Sequence, residues 1–95
     1  MGVIRSFADA DTERLWDTGK SRRIPANLRS SALKKLFILR RASILQDLTA
    51  PPGNRLEALS GDRKGQHSIR INDQWRLCFV WRDGAAWDVE IADYH

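Results

Sequence analysis

The apolar positions change period once along the chain, and that change divides it into a helical half and a strand half. Leu28, Ala32, Leu36 and Leu39 recur at three- and four-residue spacing, with Leu33 and Phe37 beside them. This is the stripe of an amphipathic helix. Pro25 suits its first turn, where a missing N–H leaves no bond unmade. Arg29, Lys34, Lys35, Arg40 and Arg41 fall mostly on the complementary side. A further helical turn or two around Ile44, Leu45 and Leu48 is expected before Pro51-Pro52-Gly53 ends all helix. Upstream, Val3-Ile4-Arg5-Ser6-Phe7 reads as a short first strand. Asp9 and Asp11 then cap and charge the start of a short helix through Leu15 and Trp16, which Gly19 stops.

Beyond the prolines the period is two. Leu56 to Leu59 reads as a strand, Gly61-Asp62-Arg63-Lys64-Gly65 as a turn, and Gln66 to Ile71 as a second strand with Ile69 and Ile71 on one face. Asn72-Asp73 turns the chain. Trp75, Leu77, Phe79 and Trp81 then alternate against Arg76, Cys78 and Val80. Asp83-Gly84 is a hairpin turn, and the last strand alternates Ala85, Trp87, Val89 and Ile91 against Ala86, Asp88, Glu90 and Ala92. Closely spaced strands joined by tight turns form an antiparallel meander, and the helices must cover one of its faces. The expected architecture is α+β, an antiparallel sheet packed on N-terminal helices. No linker rich in Gly or Ser interrupts it, so residues 1–95 read as a single domain.

Composition narrows the possibilities. With 42% hydrophobic and 29% charged residues, the chain suits a folded globular domain better than a disordered one. Its one cysteine, Cys78, excludes an internal disulfide framework and a Cys-rich zinc site, and favours a reducing compartment. Neither a signal peptide nor a membrane span is visible, and the strand-like Val3–Phe7 run argues against a myristoylated Gly2. A cytosolic protein is expected. The net charge of +4 suits a polyanionic partner, either nucleic acid or an acidic protein.

Arrangement adds chemistry to the charge. If Trp75, Leu77 and Phe79 face the helices, Arg76 stands on the open face and needs an anion there. Glu90 or Asp88 would be a structural partner, a phosphate a functional one. The chain finishes Asp93-Tyr94-His95, an acid, a phenol and an imidazole in succession. Metal-free ribonuclease chemistry needs a base for the 2′-hydroxyl proton, an acid for the leaving 5′-oxygen and a cation for the pentacoordinate phosphate. Histidine performs either proton transfer near neutrality, and arginine binds phosphate through a planar fork. His67 and His95 lack metal-ligand spacing, and Cys78 lacks an activating base, so no metal or cofactor is expected.

The stretch from Pro51 to His95, with its run GDRKGQHSIRINDQWRLCF and terminal DYH, strongly resembles the HigB-type toxins of the RelE/ParE superfamily. The N-terminal pattern fits as well. The resemblance implies a RelE-like, microbial-RNase-type fold and an endoribonuclease that enters the ribosome and cleaves messenger RNA in the A site. By position it implies that Arg76 stabilises the phosphate and that Asp93, Tyr94 and His95 form the terminal catalytic cluster. Some relatives carry histidine where this chain has Glu57, which leaves the general base open, since an ordinary carboxylate is a weaker base than imidazole. Arg55, Arg63, Lys64 and Arg70 are expected to contact the RNA backbone. The implied partner is a HigA-like antitoxin with a helix-turn-helix domain, through which operator DNA is reached. A ParE-like inhibitor of DNA gyrase, on the same fold without nuclease activity, is the alternative.

Overall fold

The computed structural model describes residues 3–93. Two helices, α1 (Ala10–Thr18) and α2 (Ala26–Arg41), precede four strands: β1 (Glu57–Ala58), β2 (His67–Arg70), β3 (Trp75–Arg82) and β4 (Ala85–Asp93). The strands form an antiparallel sheet in the order β1-β2-β3-β4. Three 3-10 turns, Leu45–Thr49, Pro52–Asn54 and Gly61–Arg63, fill the connections. Among the described residues no helix is long and apolar enough to cross a membrane.

Local chemistry explains the helix ends. Asp9 caps α1, its carboxylate accepting from the Thr12 N–H at 3.2 Å and from the Thr12 hydroxyl at 2.6 Å. The same hydroxyl accepts the Ile91 N–H at 3.1 Å, which ties the cap to β4. Gly19 closes α1 in the left-handed conformation (φ 79°), where a side chain would clash with the backbone. In α2 the buried residues are Leu28, Ala32, Leu36 and Leu39, the stripe that the spacing predicts. Asp47 accepts the N–H groups of Ser43 and Ile44 at 2.8 and 3.2 Å. Those two donors favour its charged form and hold its carboxyl below the ordinary range.

The core lies between the helices and one face of the sheet. Leu15, Leu28, Leu36 and Leu39 meet Ile69, Leu77, Phe79, Val89 and Ile91 there. Each such side chain stabilises the fold by roughly 1.5–3 kcal/mol relative to exposure.

Three sequence expectations need correction. The α-helix does end before the prolines, but Pro52–Asn54 itself forms a 3-10 turn, because proline is tolerated at the start of a helical turn. Val3–Phe7 is not a continuous strand. It touches β4 in parallel at only two bridges, Ile4 to Ala86 and Phe7 to Val89. Between them lies Asp88, whose φ of 52° interrupts the ladder. The same residue overturns the expected alternation of β4. Val80 pairs with Trp87 but Cys78 with Glu90, so β4 carries one extra residue at this point. Ala86 therefore joins Val89 and Ile91 in the core, while Trp87 turns to the other face, where the Arg82 guanidinium stacks on its ring at 4.3 Å.

The bulge sits in a conformation that β-branched residues resist. Asp88 holds it with its N–H on the Ser6 hydroxyl at 2.8 Å. Asp88→Val is expected to destabilise the chain by about 1–2 kcal/mol, read as a lower urea midpoint, and Asp88→Gly to be nearly neutral. Equal midpoints for the two variants would show that the bulge is unstrained.

Candidate active site

Helices cover one face of the sheet. On the other, the strand register aligns four residues in a row: Glu57 opposite Ser68, Ser68 opposite Cys78, and Cys78 opposite Glu90. The two middle residues are small and fully buried. They make a floor with a carboxylate at either end. The next row sets Arg70 opposite Arg76, and Arg76 opposite Ala92.

Arg76 is brought to this face by its strand and by the turn before it. Asn72 accepts the N–H groups of Gln74 and Trp75 at 2.9 and 2.8 Å, a side-chain-closed turn that starts β3 in register. The guanidinium then lies over the floor. Its Nε donates to the Ser68 hydroxyl at 2.7 Å, and Nη2 donates to the Arg55 carbonyl at 2.8 Å. Nη2 is also 2.8 Å from Glu57 Oε1, and the Arg76 side chain is 13% exposed. Among the described residues Arg76 pairs with Glu57, rather than with the Glu90 or Asp88 that the sequence offered. Glu90 instead pairs with Arg63 at 3.0 Å, and Asp88 belongs to the bulge.

The remaining candidates are spread around this centre. Arg55 contributes its carbonyl from a left-handed residue (φ 47°), with its own side chain exposed. Arg63 also donates to Gln66 at 3.1 Å, and Lys64 is exposed at the end of the same 3-10 turn. Arg70 pairs with Asp73 across the β2–β3 turn. Asp93 ends β4 opposite Trp75, on the helix side of the sheet rather than the face that carries Arg76, and accepts from the Gln74 side chain at 3.0 Å. Tyr94 and His95 lie outside the described residues.

His67 is not part of this face. It stacks near Phe79 on the helix side, ring centroids 6.4 Å apart, and its Nδ1 is buried with no hydrogen-bond partner among the described residues. The edge of the site is strongly cationic. Lys35, bonded to the Asn54 side chain, has its pKa lowered, first by burial and then by the charges of Arg70 and Lys34. Sequence reasoning missed Ser68 and Arg55's carbonyl as the groups that aim Arg76. A serine beside Arg70 on the polar face of its strand was the only hint of the first, and a backbone acceptor leaves no signature in a sequence.

The family of RelE-like toxins of the HigB type II toxin–antitoxin system matches residues 5–95. The chain belongs to this family. Toxin HigB-1 of Vibrio cholerae serotype O1 is 44% identical over 81 residues, covering 84% of this chain and 85% of that protein. A protein named endoribonuclease HigB from Proteus vulgaris is 28% identical over 93 residues, covering 98% of this chain and all of that one. Among solved structures, a chain of the YoeB–YefM complex from Staphylococcus aureus aligns with a TM-score of 0.61 at 15% identity, over 97% of both chains. YafQ from Escherichia coli aligns with a TM-score of 0.59 at 16% identity, over 95% of this chain and 92% of that one. At such identities these two likenesses speak for the fold alone. The HigB-like family and the RelE-like α+β fold expected from the sequence are therefore both found.

Proposed function

We propose that this type II toxin is a metal-independent endoribonuclease that cuts messenger RNA in the ribosomal A site, and that a HigA-like helix-turn-helix antitoxin holds it inactive. The observation that carries the reading is Arg76, fixed by Ser68, the Arg55 carbonyl and Glu57 on the open face of the sheet. A guanidinium locked in place before substrate arrives costs little reorganisation when charge builds on a phosphate. The likeness to a relative named an endoribonuclease supports the same activity.

In this mechanism the ribose 2′-oxygen attacks the adjacent phosphorus and the P–O5′ bond breaks, leaving a 2′,3′-cyclic phosphate. Arg76 stabilises the pentacoordinate phosphate. Glu57 is the described carboxylate in contact with Arg76 and takes the 2′-hydroxyl proton. His95 protonates the departing 5′-oxygen, Tyr94 stacks on or hydrogen-bonds the nucleotide, and Asp93 orients the cluster. Arg55, Lys64 and Arg70 meet the RNA backbone. Positioning of the messenger by the ribosome supplies what so few groups cannot, since orientation alone is worth several kcal/mol. The toxin works in the cytosol and reaches operator DNA only through its antitoxin.

Programmed ribosomes carrying a defined messenger, mapped by 5′-end analysis, test the reading. A cut at the A-site codon is the expected result. An intact messenger, together with inhibition of DNA supercoiling by gyrase, would replace it with the ParE-like alternative.

A further inference from the structure

The open face carries a second arginine held by a second glutamate, at the other end of the row that holds Arg76. Arg63 springs from the turn between β1 and β2, and Glu90 lies on β4, the far edge of the sheet. Their ion pair, 3.0 Å long, therefore spans the open face. Neighbouring strands lie about 4.8 Å apart, so the guanidinium must rest above the inner strands to reach Glu90. The Nη1 that pairs with Glu90 also bonds Gln66, just before β2, at 3.1 Å, so the guanidinium bridges from the start of β2 to β4 on the face where Arg76 bonds Ser68.

The two pairs have the same construction. Glu57, at the β1 end of the row, holds Arg76; Glu90, at the β4 end, holds Arg63. The Arg63 side chain is 30% exposed and that of Glu90 25%. The pair is thus partly buried and still reachable from solvent. What the second pair does achieve is to keep a cation on the open face, the side of the sheet that also carries Arg76. Single-stranded RNA presents one phosphate per nucleotide, so a strand gripped at one phosphate by Arg76 lays a neighbouring one within reach.

We propose that Arg63 and Glu90 form a second phosphate subsite, in which Arg63 takes the phosphodiester next to the scissile one and Glu90 is its positioning residue. The inference rests on the RNA-cleaving reading for its substrate class. It goes beyond that reading in assigning Glu90 a part and in setting the direction of the strand across the sheet, from the Glu57 end of the row to the Glu90 end.

The test is binding, which does not depend on cleavage. A short oligoribonucleotide methylated at every 2′-oxygen cannot be cut by 2′-attack, and its affinity is measured by fluorescence anisotropy over a range of salt concentrations. Arg63→Ala is expected to weaken binding about tenfold and to reduce the slope of log affinity against log salt by about one. Arg63→Lys should recover part of the loss, because it keeps the charge without the planar fork. Glu90→Gln retains an acceptor for Arg63 and should bind within a few-fold of the native chain, and Glu90→Ala should follow Arg63→Ala in part. Arg14→Ala removes the same charge from the exposed side of α1, across the sheet, and serves as the control.

Thermal unfolding of each variant separates lost binding from lost fold. The proposal is overturned if Arg63→Ala binds no more weakly than Arg14→Ala at equal salt slope. It is equally overturned if Glu90→Ala binds more tightly than the native chain, since Glu90 would then merely repel the phosphate. Cleavage on programmed ribosomes, run on the same proteins, keeps the two readings apart. Arg63-dependent binding without any cleavage would sink the nuclease and leave the subsite, whereas cleavage with an unchanged KM in Arg63→Ala would do the reverse.

Discussion

Arg76→Ala is expected to lower messenger cleavage on programmed ribosomes by about 10²–10³-fold, the usual cost of removing one preorganised donor from a developing oxyanion. The loss should fall on kcat, because the guanidinium is already in place before substrate binds and its interaction strengthens as charge builds on the phosphate. Ser68 and the Arg55 carbonyl lose their donor in this variant. Ser68 is buried where the guanidinium bonds it, on the sheet face away from the helices, so truncation opens it to water and the fold should survive. Arg76→Lys separates charge from geometry. An ammonium cannot serve Ser68, Arg55 and a phosphate from one plane, and should restore only a small part of the rate. Native-like cleavage by either variant would remove Arg76 from the mechanism. His95→Ala, in the same assay, should lose about 10²-fold or more if it transfers a proton.

Asn54→Ala is expected to cost about 3 kcal/mol of stability, a large share of the roughly 5–15 kcal/mol that holds a domain together. Asn54 is fully buried. Its amide donates to the carbonyls of Leu48 and Ala50 at 3.2 and 3.1 Å, and its oxygen accepts from the Lys35 ammonium. Truncation leaves two carbonyls and a half-buried cation without their partner at once. The measurement is the urea midpoint at constant m. A shift worth less than about 1 kcal/mol would mean that water replaces the amide in the vacated space. The consequence reaches the site, because the next residue, Arg55, presents to Arg76 the carbonyl that helps to aim it.

The two periods in the sequence determined a great deal by themselves. The buried stripe of α2, the cap at Asp9, the stop at Gly19 and the tight turn at Asp83-Gly84 were all legible, since each depends on neighbours a few residues away. The same holds for the placing of Arg76 opposite the helices, which follows from strict alternation along β3. The family resemblance was legible too, in the run from Gly61 to Phe79.

What only the tertiary structure decided involves residues brought together from distant parts of the chain. Alternation placed Trp87 in the core, and a bulge at Asp88 put it on the other face, because one extra residue reverses every side chain beyond it. Sequence reasoning offered Arg76 a choice of nearby carboxylates on β4. The register of β1 against β2 gave it Glu57 instead, and left Glu90 for an arginine 27 residues earlier in the chain. Periodicity reports which face a side chain occupies, since that is a property of one strand. Which opposite charge it meets on that face depends on strand order and register, and those are settled only when the whole sheet packs against its helices.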